Sequence, residues 1–540
     1  MSLPQAKVQR TLFDVPVLVK DLFSKNDRYR LFREKILPAL YAKRTELCEL
    51  YCQDNGRPAF EPVVAMGATL LQFMEKVPDR KAAENLKLHL GWKYALDLEL
   101  DERGFHYSTL CNFRGRLLEN DMMRVGFDVI VDALRDAGLL RKNSRQRLDS
   151  THVLGNVSKM SRLECVRETI RLFVEQIHGS GFESTISEYA LYVERYCESQ
   201  VQWHRMNKVT LAEKAIQAGH DALFLIRWLR QQPSIIRDDD KALLLERVFL
   251  EQYEPDSLSP ALRKSENSGG VQNPHDPDAQ WSSKDQAKKK TWVGYKVQMA
   301  ETVPDADEPK KKGEPTEQFI TEVTTTEAIA SDLDGMKRNL SAQEKHQEDT
   351  PSELYVDAAY VTDDTLAQAR KEGREIIGPA RPPGNPTHLL AVDQFDINIS
   401  KRTAVCPAKH TSRQCSLIND HYNDSVYYRF EWAGLCDGCD LRKKCTRRKD
   451  GRRQVSVGIH HELLQQRRRE MKTDEFKLKM HRRNAIEGTV SEFARLGGRR
   501  TRYKGLAKTT LANYFQGAAI NVNRWIRRTQ WEIKEREKAA

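Results

Sequence analysis

His481 to Leu496 reads His-Arg-Arg-Asn-Ala-Ile-Glu-Gly-Thr-Val-Ser-Glu-Phe-Ala-Arg-Leu, and how this stretch is understood decides the fold. Ile486, Val490 and Phe493 recur at helical spacing, which predicts a helix with one buried face. Arg483 and Glu487 stand four apart beside that face. A carboxylate is thereby held at the edge of a core. In isolation an Arg-x-x-x-Glu is an ordinary surface ion pair. Two earlier segments give it another meaning. Gln146 to Val153 is a strand-like run carrying Asp149, followed by Ser150 and Thr151. Glu353 to Val361 runs through Leu354, Tyr355 and Val356 into Asp357, Ala358, Ala359 and Tyr360. Taken singly, either aspartate is a strand-end residue that bonds a turn.

In the order strand-Asp, strand-Asp, helix-Glu, the three acids resemble the catalytic triad of DDE transposases, the enzymes that mobilise bacterial insertion sequences. Other segments carry the same resemblance. They are Asp79-Arg-Lys-Ala-Ala-Glu84 and Tyr107-Ser-Thr-Leu110 near the N-terminus, Asp276-Pro-Asp-Ala-Gln-Trp281 and Trp292-Val-Gly-Tyr-Lys-Val297, and Arg502-Tyr-Lys-Gly-Leu-Ala-Lys508 with Asn521. The resemblance covers about 60–160 and 270–525.

The chain has 540 residues, 39% hydrophobic and 31% charged, with a formal net charge of +11. That length accommodates two to four domains. The positive balance favours a polyanionic partner such as nucleic acid. The first residues do not read as a signal peptide, and the apolar run Val63 to Met74 is too short to span a bilayer, so a cytoplasmic, nucleoid-associated bacterial protein is expected.

Residues 1–140 read as an all-α N-terminal DNA-binding domain: helices over Asp27 to Leu40, Arg44 to Tyr51, Pro62 to Glu75 and Asp79 to Leu90, then one capped by Ser108. In the last, Leu110, Phe113 and Leu117 point inward and Thr109, Asn112 and Arg116 outward, a polar and basic face suited to a DNA groove or simply to the surface of a bundle. Residues 145–160 and 285–525 hold the α/β catalytic part, with strands at Gln146 to Asn156, Thr291 to Thr302, Phe319 to Thr326, Leu354 to Val356 and Glu375 to Gly378. Helices starting after Ser331 and at Asp363 lie between them. This β-β-β-α-β-α-β order, followed by a late helix with an acid, is that of an RNase H-like fold. In that fold, the resemblance implies, the first and fourth strands are neighbours. The core is interrupted by a helical insertion at 161–265, with helices at Ser161 to Ile177, Ser184 to Glu198, Thr210 to Gln231 and Asp239 to Tyr253, and by a Cys-rich insertion at 380–460. Residues 264–290 read as an exposed loop, 304–315 as a charged turn, and 526–540 as a C-terminal tail.

Carboxylates suit hard divalent cations. The resemblance makes Asp149, Asp357 and Glu487 the ligands of Mg²⁺, two ions, in phosphodiester cleavage and strand transfer. Glu492 and Glu462 are rivals of Glu487 outside the Arg-x-x-x-Glu-Gly setting. Arg483 could orient Glu487 or touch phosphate; Tyr503 and Lys504 could contact DNA or pack. Cys406, Cys436, Cys439 and Cys445 offer four thiolates in a pattern that fits structural Zn²⁺, with His410 or Cys415 able to replace one, and buried free thiols the alternative. A basic run from Arg442 to Arg453, then Arg467 to Arg469, Arg482, Arg483, Arg499, Arg500, Arg502 and Lys504, reads as a phosphate-contacting channel. The resemblance implies an enzyme that binds the terminal inverted repeats of its own element and transfers the cut ends to target DNA, as a homo-oligomer on DNA. A nuclease on the same fold, or a noncatalytic DNA-binding derivative, is the alternative.

Overall fold

The computed structural model describes residues 12–19, 21–52, 56, 59–198, 207–254, 260–264, 269–285, 290–304, 313–315, 318–383, 389–421 and 425–540. Most of the charged turn expected at 304–315 lies outside the described residues.

The sheet is built around β1 (Gln146–Leu154). On one edge it pairs antiparallel with β3 (Lys290–Thr302) over nine residues. The far edge of β3 carries both β2 (Gln280–Asp285) and β4 (Ile320–Glu327). On its other edge β1 pairs in parallel with β5 (Glu353–Tyr355), which pairs in parallel with β6 (Glu375–Ile377). The order is β4-β3-β1-β5-β6, with β2 extending the sheet beside β3. One contact inside this pairing demands glycine: a Cβ on Gly294, at φ +152°, would lie 2.1 Å from the carbonyl oxygen of Val153.

Alternate residues of β1 and β3 face opposite layers, as the pleat requires. Val153, Tyr295, Val297 and Met299 enter a core shared with the N-terminal helices and with Leu506–Ala539. Leu148 and Ala300 enter a second core with Met336 of helix Asp332–Gln347 and Leu366 of helix Asp363–Lys371. The N-terminal helices are thus packed into the same core as the six-stranded sheet rather than around a core of their own. Both insertions do have their own. Helices Arg162–Ile177, Lys208–Leu229 and Asp240–Gln252 form one. The other is a small β body of β7 (Asp396–Asn398), β8 (Thr403–Val405), β9 (Gln414–Asp420), β10 (Ser425–Glu431) and β11 (Gln454–Gly458).

Three expectations need correction. Residues 526–540 are not a tail but the last turns of the 34-residue helix Leu506–Ala539. The stretch at 264–290, where described, is not an exposed loop: Val271, Gln272, Asn273, Asp276 and Ala279 are buried and β2 begins at Gln280. Its acids serve the start of the last helix, where backbone N–H groups have no partner within the helix. Asp276 accepts from the Tyr295 hydroxyl (2.6 Å) and the Gly505 N–H (3.0 Å), and Asp278 from the Leu506 N–H (2.9 Å). The helix expected at 184–198 is broken into a 3₁₀ turn, one α turn and a π segment, because Glu188 takes left-handed backbone angles (φ +60°).

An ion network buried beneath the helix Ile486–Arg495 ties it to the sheet. Glu301 of β3, wholly buried, binds Arg147 of β1 (Nε, 2.6 Å), Arg524 of the last helix (Nη1, 2.9 Å) and the hydroxyl of Thr489. Arg147 also donates to the Arg482 carbonyl at 2.7 Å, and Arg524 reaches Glu492 at 2.9 Å. A buried carboxylate between two guanidiniums is tolerated only because each charge is compensated. Substituting Glu301→Gln leaves buried Arg147 without its anion and Arg524 with Glu492 alone, and should lower stability by about 3–5 kcal/mol in urea unfolding. A loss below 1 kcal/mol would show that the network does not hold the helix in place.

Candidate active site

Asp149 lies on β1 three residues after its start, and Asp357 lies two residues beyond the end of β5. The parallel register pairs Arg147 with Tyr355. β5 ends there, and two residues on, each segment carries its aspartate, Asp149 within β1 and Asp357 where the chain leaves the sheet. Arg483 spans the two: one guanidinium nitrogen is 2.9 Å from the Asp149 carboxylate and 4.0 Å from that of Asp357. Asp149 also accepts the Ser150 N–H at 2.7 Å. Burial raises its pKa above the usual carboxylate value; Arg483 works against that, and the neighbouring Asp357 adds to it. Asp357 is more open, and its carboxylate accepts the Ala359 N–H at 2.7 Å in a tight turn.

Glu487 stands in the first turn of Ile486–Arg495, exposed, and its carboxylate makes no hydrogen bond or ion pair among the described residues. Ile486 and Phe493 on the opposite face are fully buried, as the helical spacing requires. Arg483 pairs with the aspartates rather than with Glu487. Of the rivals, Glu492 is bound up with Arg524 and Arg527; burial raises its carboxyl, but those guanidiniums outweigh it and hold it below the usual range. Glu462 accepts the Ile399 N–H at 3.3 Å, tying the β body to the helix His461–Glu470.

Further groups surround the aspartate pair that sequence reasoning did not select. Asp332, the first residue of its helix, accepts from the Ser150 hydroxyl (3.0 Å) and the Lys296 ammonium (3.2 Å). Tyr360 is buried, and burial together with the charges of Asp332 and Asp149 raises its phenol pKa far above its usual value. Lys284 of β2 is near enough for its charge to favour ionised Asp149. Only the position of Asp332 just after a helix cap could have pointed to it.

The remaining sites divide. Asn112 is exposed on Ser108–Glu119, and Arg116 is half-buried with its guanidinium 4.4 Å from the centre of the Tyr51 ring. Ser108 is the first helical residue rather than the cap, its hydroxyl held by His106 at 2.8 Å. Tyr503 packs on the large core, beneath Arg114 (5.5 Å) and Arg502 (5.3 Å); Lys504 is exposed. Arg114 in turn binds Asp79 at 2.6 Å. Burial works against ionised Asp79, yet Arg114 outweighs it and holds that carboxyl below the usual range.

The basic run is in part structural. Arg467 is buried, donating to the carbonyls of Gly378 and Ile376. Arg453 donates to the Leu390 carbonyl and Arg482 to the Tyr355 hydroxyl. Arg499 and Arg500 are exposed where the chain runs alongside the end of β1, with the Leu154 N–H bonding the Arg499 carbonyl. Among the described residues, no three His, Cys, Asp or Glu side chains stand close enough together to hold a metal ion.

Residues 17–116 match the family model described as transposase domain (DUF772), and residues 405–526 match that of the transposase DDE domain. The second match contains Glu487 and the clustered cysteines but neither aspartate. No curated protein and no solved structure matches the chain. A transposase domain on the N-terminal helices and a transposase DDE domain across the glutamate helix together support a DDE transposase of an insertion sequence.

Proposed function

We propose that this protein cuts DNA at the ends of its own element and joins the freed 3′ ends to target DNA, using Asp149, Asp357 and Glu487. The observation that carries the proposal is Arg483, just before the glutamate helix, reaching both Asp149 (2.9 Å) and Asp357 (4.0 Å), in a segment held to the sheet through the Arg482 carbonyl and Thr489. The strand order β4-β3-β1-β5-β6, in which β3 alone runs antiparallel to β1, supports an RNase H-like reading of the core.

The donor set fits hard divalent cations such as Mg²⁺: carboxylate oxygens, two of them already sharing the positive charge of Arg483. Asp149, Asp357 and Glu487 would hold the ions. When bound, two such ions supply an activated oxygen nucleophile and neutralise charge on the leaving oxygen. The protein's own part is positioning. β1 and β5 fix the aspartates relative to each other, and Thr489 and Arg482 fix the glutamate helix over them. Arg483 keeps the two carboxylates charge-balanced. Exposed Arg499, Arg500, Arg502 and Lys504 follow the same helix and offer an edge for the DNA backbone.

A gel assay on a plasmid carrying the gene and its native flanks should give Mg²⁺-dependent cleavage and joined products. Asp149→Asn, Asp357→Asn and Glu487→Gln should each abolish both while the circular dichroism of the fold is retained. A fully active Asp357→Asn protein would remove the triad. Cleavage without joining would turn the reading into a nuclease.

In fluorescence anisotropy with end-containing duplex, log K should fall linearly with log salt. Replacing Arg499 and Arg500 together by Ala should reduce the slope by about 2, since each phosphate contact contributes roughly one. An unchanged slope would take both arginines off the DNA path.

A further inference from the structure

The β body between Ile377 and His461 has only a small core of its own: Phe395, Ala404, Phe430, Trp432, Val455 and Val457 are its fully buried apolar side chains. A core of that size does not by itself hold a unit of this length, and small modules are commonly stapled by disulfides or a metal. All ten cysteines of the chain are free thiols. Half of them lie in this body, and four, Cys406, Cys436, Cys439 and Cys445, line one cavity against Trp432.

They arrive on two tight turns and a short helix. In the first turn, Cys406-Pro-Ala-Lys-His410, Lys409 adopts a left-handed conformation (φ +64°). The His410 N–H there donates to the Cys406 sulfur at 3.3 Å. In the second, Cys436-Asp-Gly-Cys439, Gly438 is left-handed (φ +79°) and the Cys439 N–H bonds back to the Cys436 carbonyl. Cys445 ends the helical turn Arg442–Cys445 that follows. A turn with a left-handed residue brings its two ends onto one side.

We propose that these four cysteines bind one structural zinc ion, which staples the β body. Four thiolates with no open position form a closed tetrahedral set suited to Zn²⁺. The four residues line one cavity but among the described residues do not yet converge on a point, so holding an ion there would require their side chains to turn inward. The geometry also chooses among the alternatives in the sequence. Cys415 sits within β9, opposite Phe430, and does not line the cavity. His410 lines it, but its side chain is exposed, and it contributes through its backbone: its N–H to Cys406 and its carbonyl to the Trp432 indole at 2.8 Å. The set is therefore four cysteines, not three and a histidine. The staple stands apart from the carboxylate site and does not depend on the strand-transfer reading.

The test uses the full-length protein purified without added metal. Elemental analysis should find one zinc per chain, and thiol alkylation followed by mass spectrometry should find those four cysteines protected until a chelator is added. Exchange into Co²⁺ should give thiolate-to-cobalt charge-transfer bands and the visible bands of a tetrahedral site. Cys436→Ser should lose the metal and Cys415→Ser keep it. If Cys436→Ser does not fold, the cobalt spectrum and alkylation pattern of the unaltered chain still decide. Absence of zinc with all ten thiols equally reactive would overturn the proposal, as would disulfides among the four or a coloured iron centre in place of zinc.

Discussion

Glu301 is the charge on which the arrangement of the sheet and the two C-terminal helices depends. It sits in the middle strand pair with no access to solvent, and three parts of the chain meet on its two oxygens: β1 through Arg147, the glutamate helix through Thr489, and the last helix through Arg524. An all-apolar contact would hold the helix to the sheet without specifying its rotation or its position along the strands. A carboxylate with three directional partners specifies both. The costs of burying these charges are large, and the partners must all be present for them to be offset. That explains why Arg147 also takes the Arg482 carbonyl and why Glu492 lies on the far side of Arg524: the network continues until its last charge reaches solvent near Arg527.

The aspartate pair illustrates the same economy at smaller scale. Arg483 lies next to Arg482 in sequence, and the two serve opposite sides of the segment that leads into the helix, Arg482 toward Tyr355 and Arg483 toward Asp149. A run that looks like a block of exposed charge is therefore divided residue by residue between structure and surface. Arg467 and Arg453 are spent inside the protein, whereas Arg499 and Arg500 face outward.

What could be read from the sequence follows from the range of each signal. Strands β1, β3, β4, β5 and β6 and the helices between them carry their periodicity locally, and the expected bounds fall within a few residues of those observed. The burial of Ile486 and Phe493 follows from spacing alone. Partner choice does not. Arg483 binding Asp149, more than three hundred residues away, leaves no mark in either local sequence, and neither does Asp332 meeting Ser150. The strands of the β body were missed because their short alternations are interrupted by charge, and Asp276 and Asp278 looked like loop acids because their partners, Gly505 and Leu506, lie at the start of a distant helix. The pairing of the two aspartates and the separate location of Glu487 remain matters of register and of side-chain placement, which no spacing rule supplies.

The central strand also sets a schedule for the chain's birth. β1 pairs with β3 and β5, and its Val153 lies in the core completed by Leu506–Ala539. About 390 residues follow Leu154, and at typical elongation rates they take roughly 20–80 s to emerge from a ribosome. During that interval the helical insertion, which contains its own core, can form as it is made, while β1 waits with its apolar face uncovered. A chain released early lacks the lid of that core and the partner of Glu301. Incomplete products of translation are therefore expected to leave this core open and to be prone to aggregate.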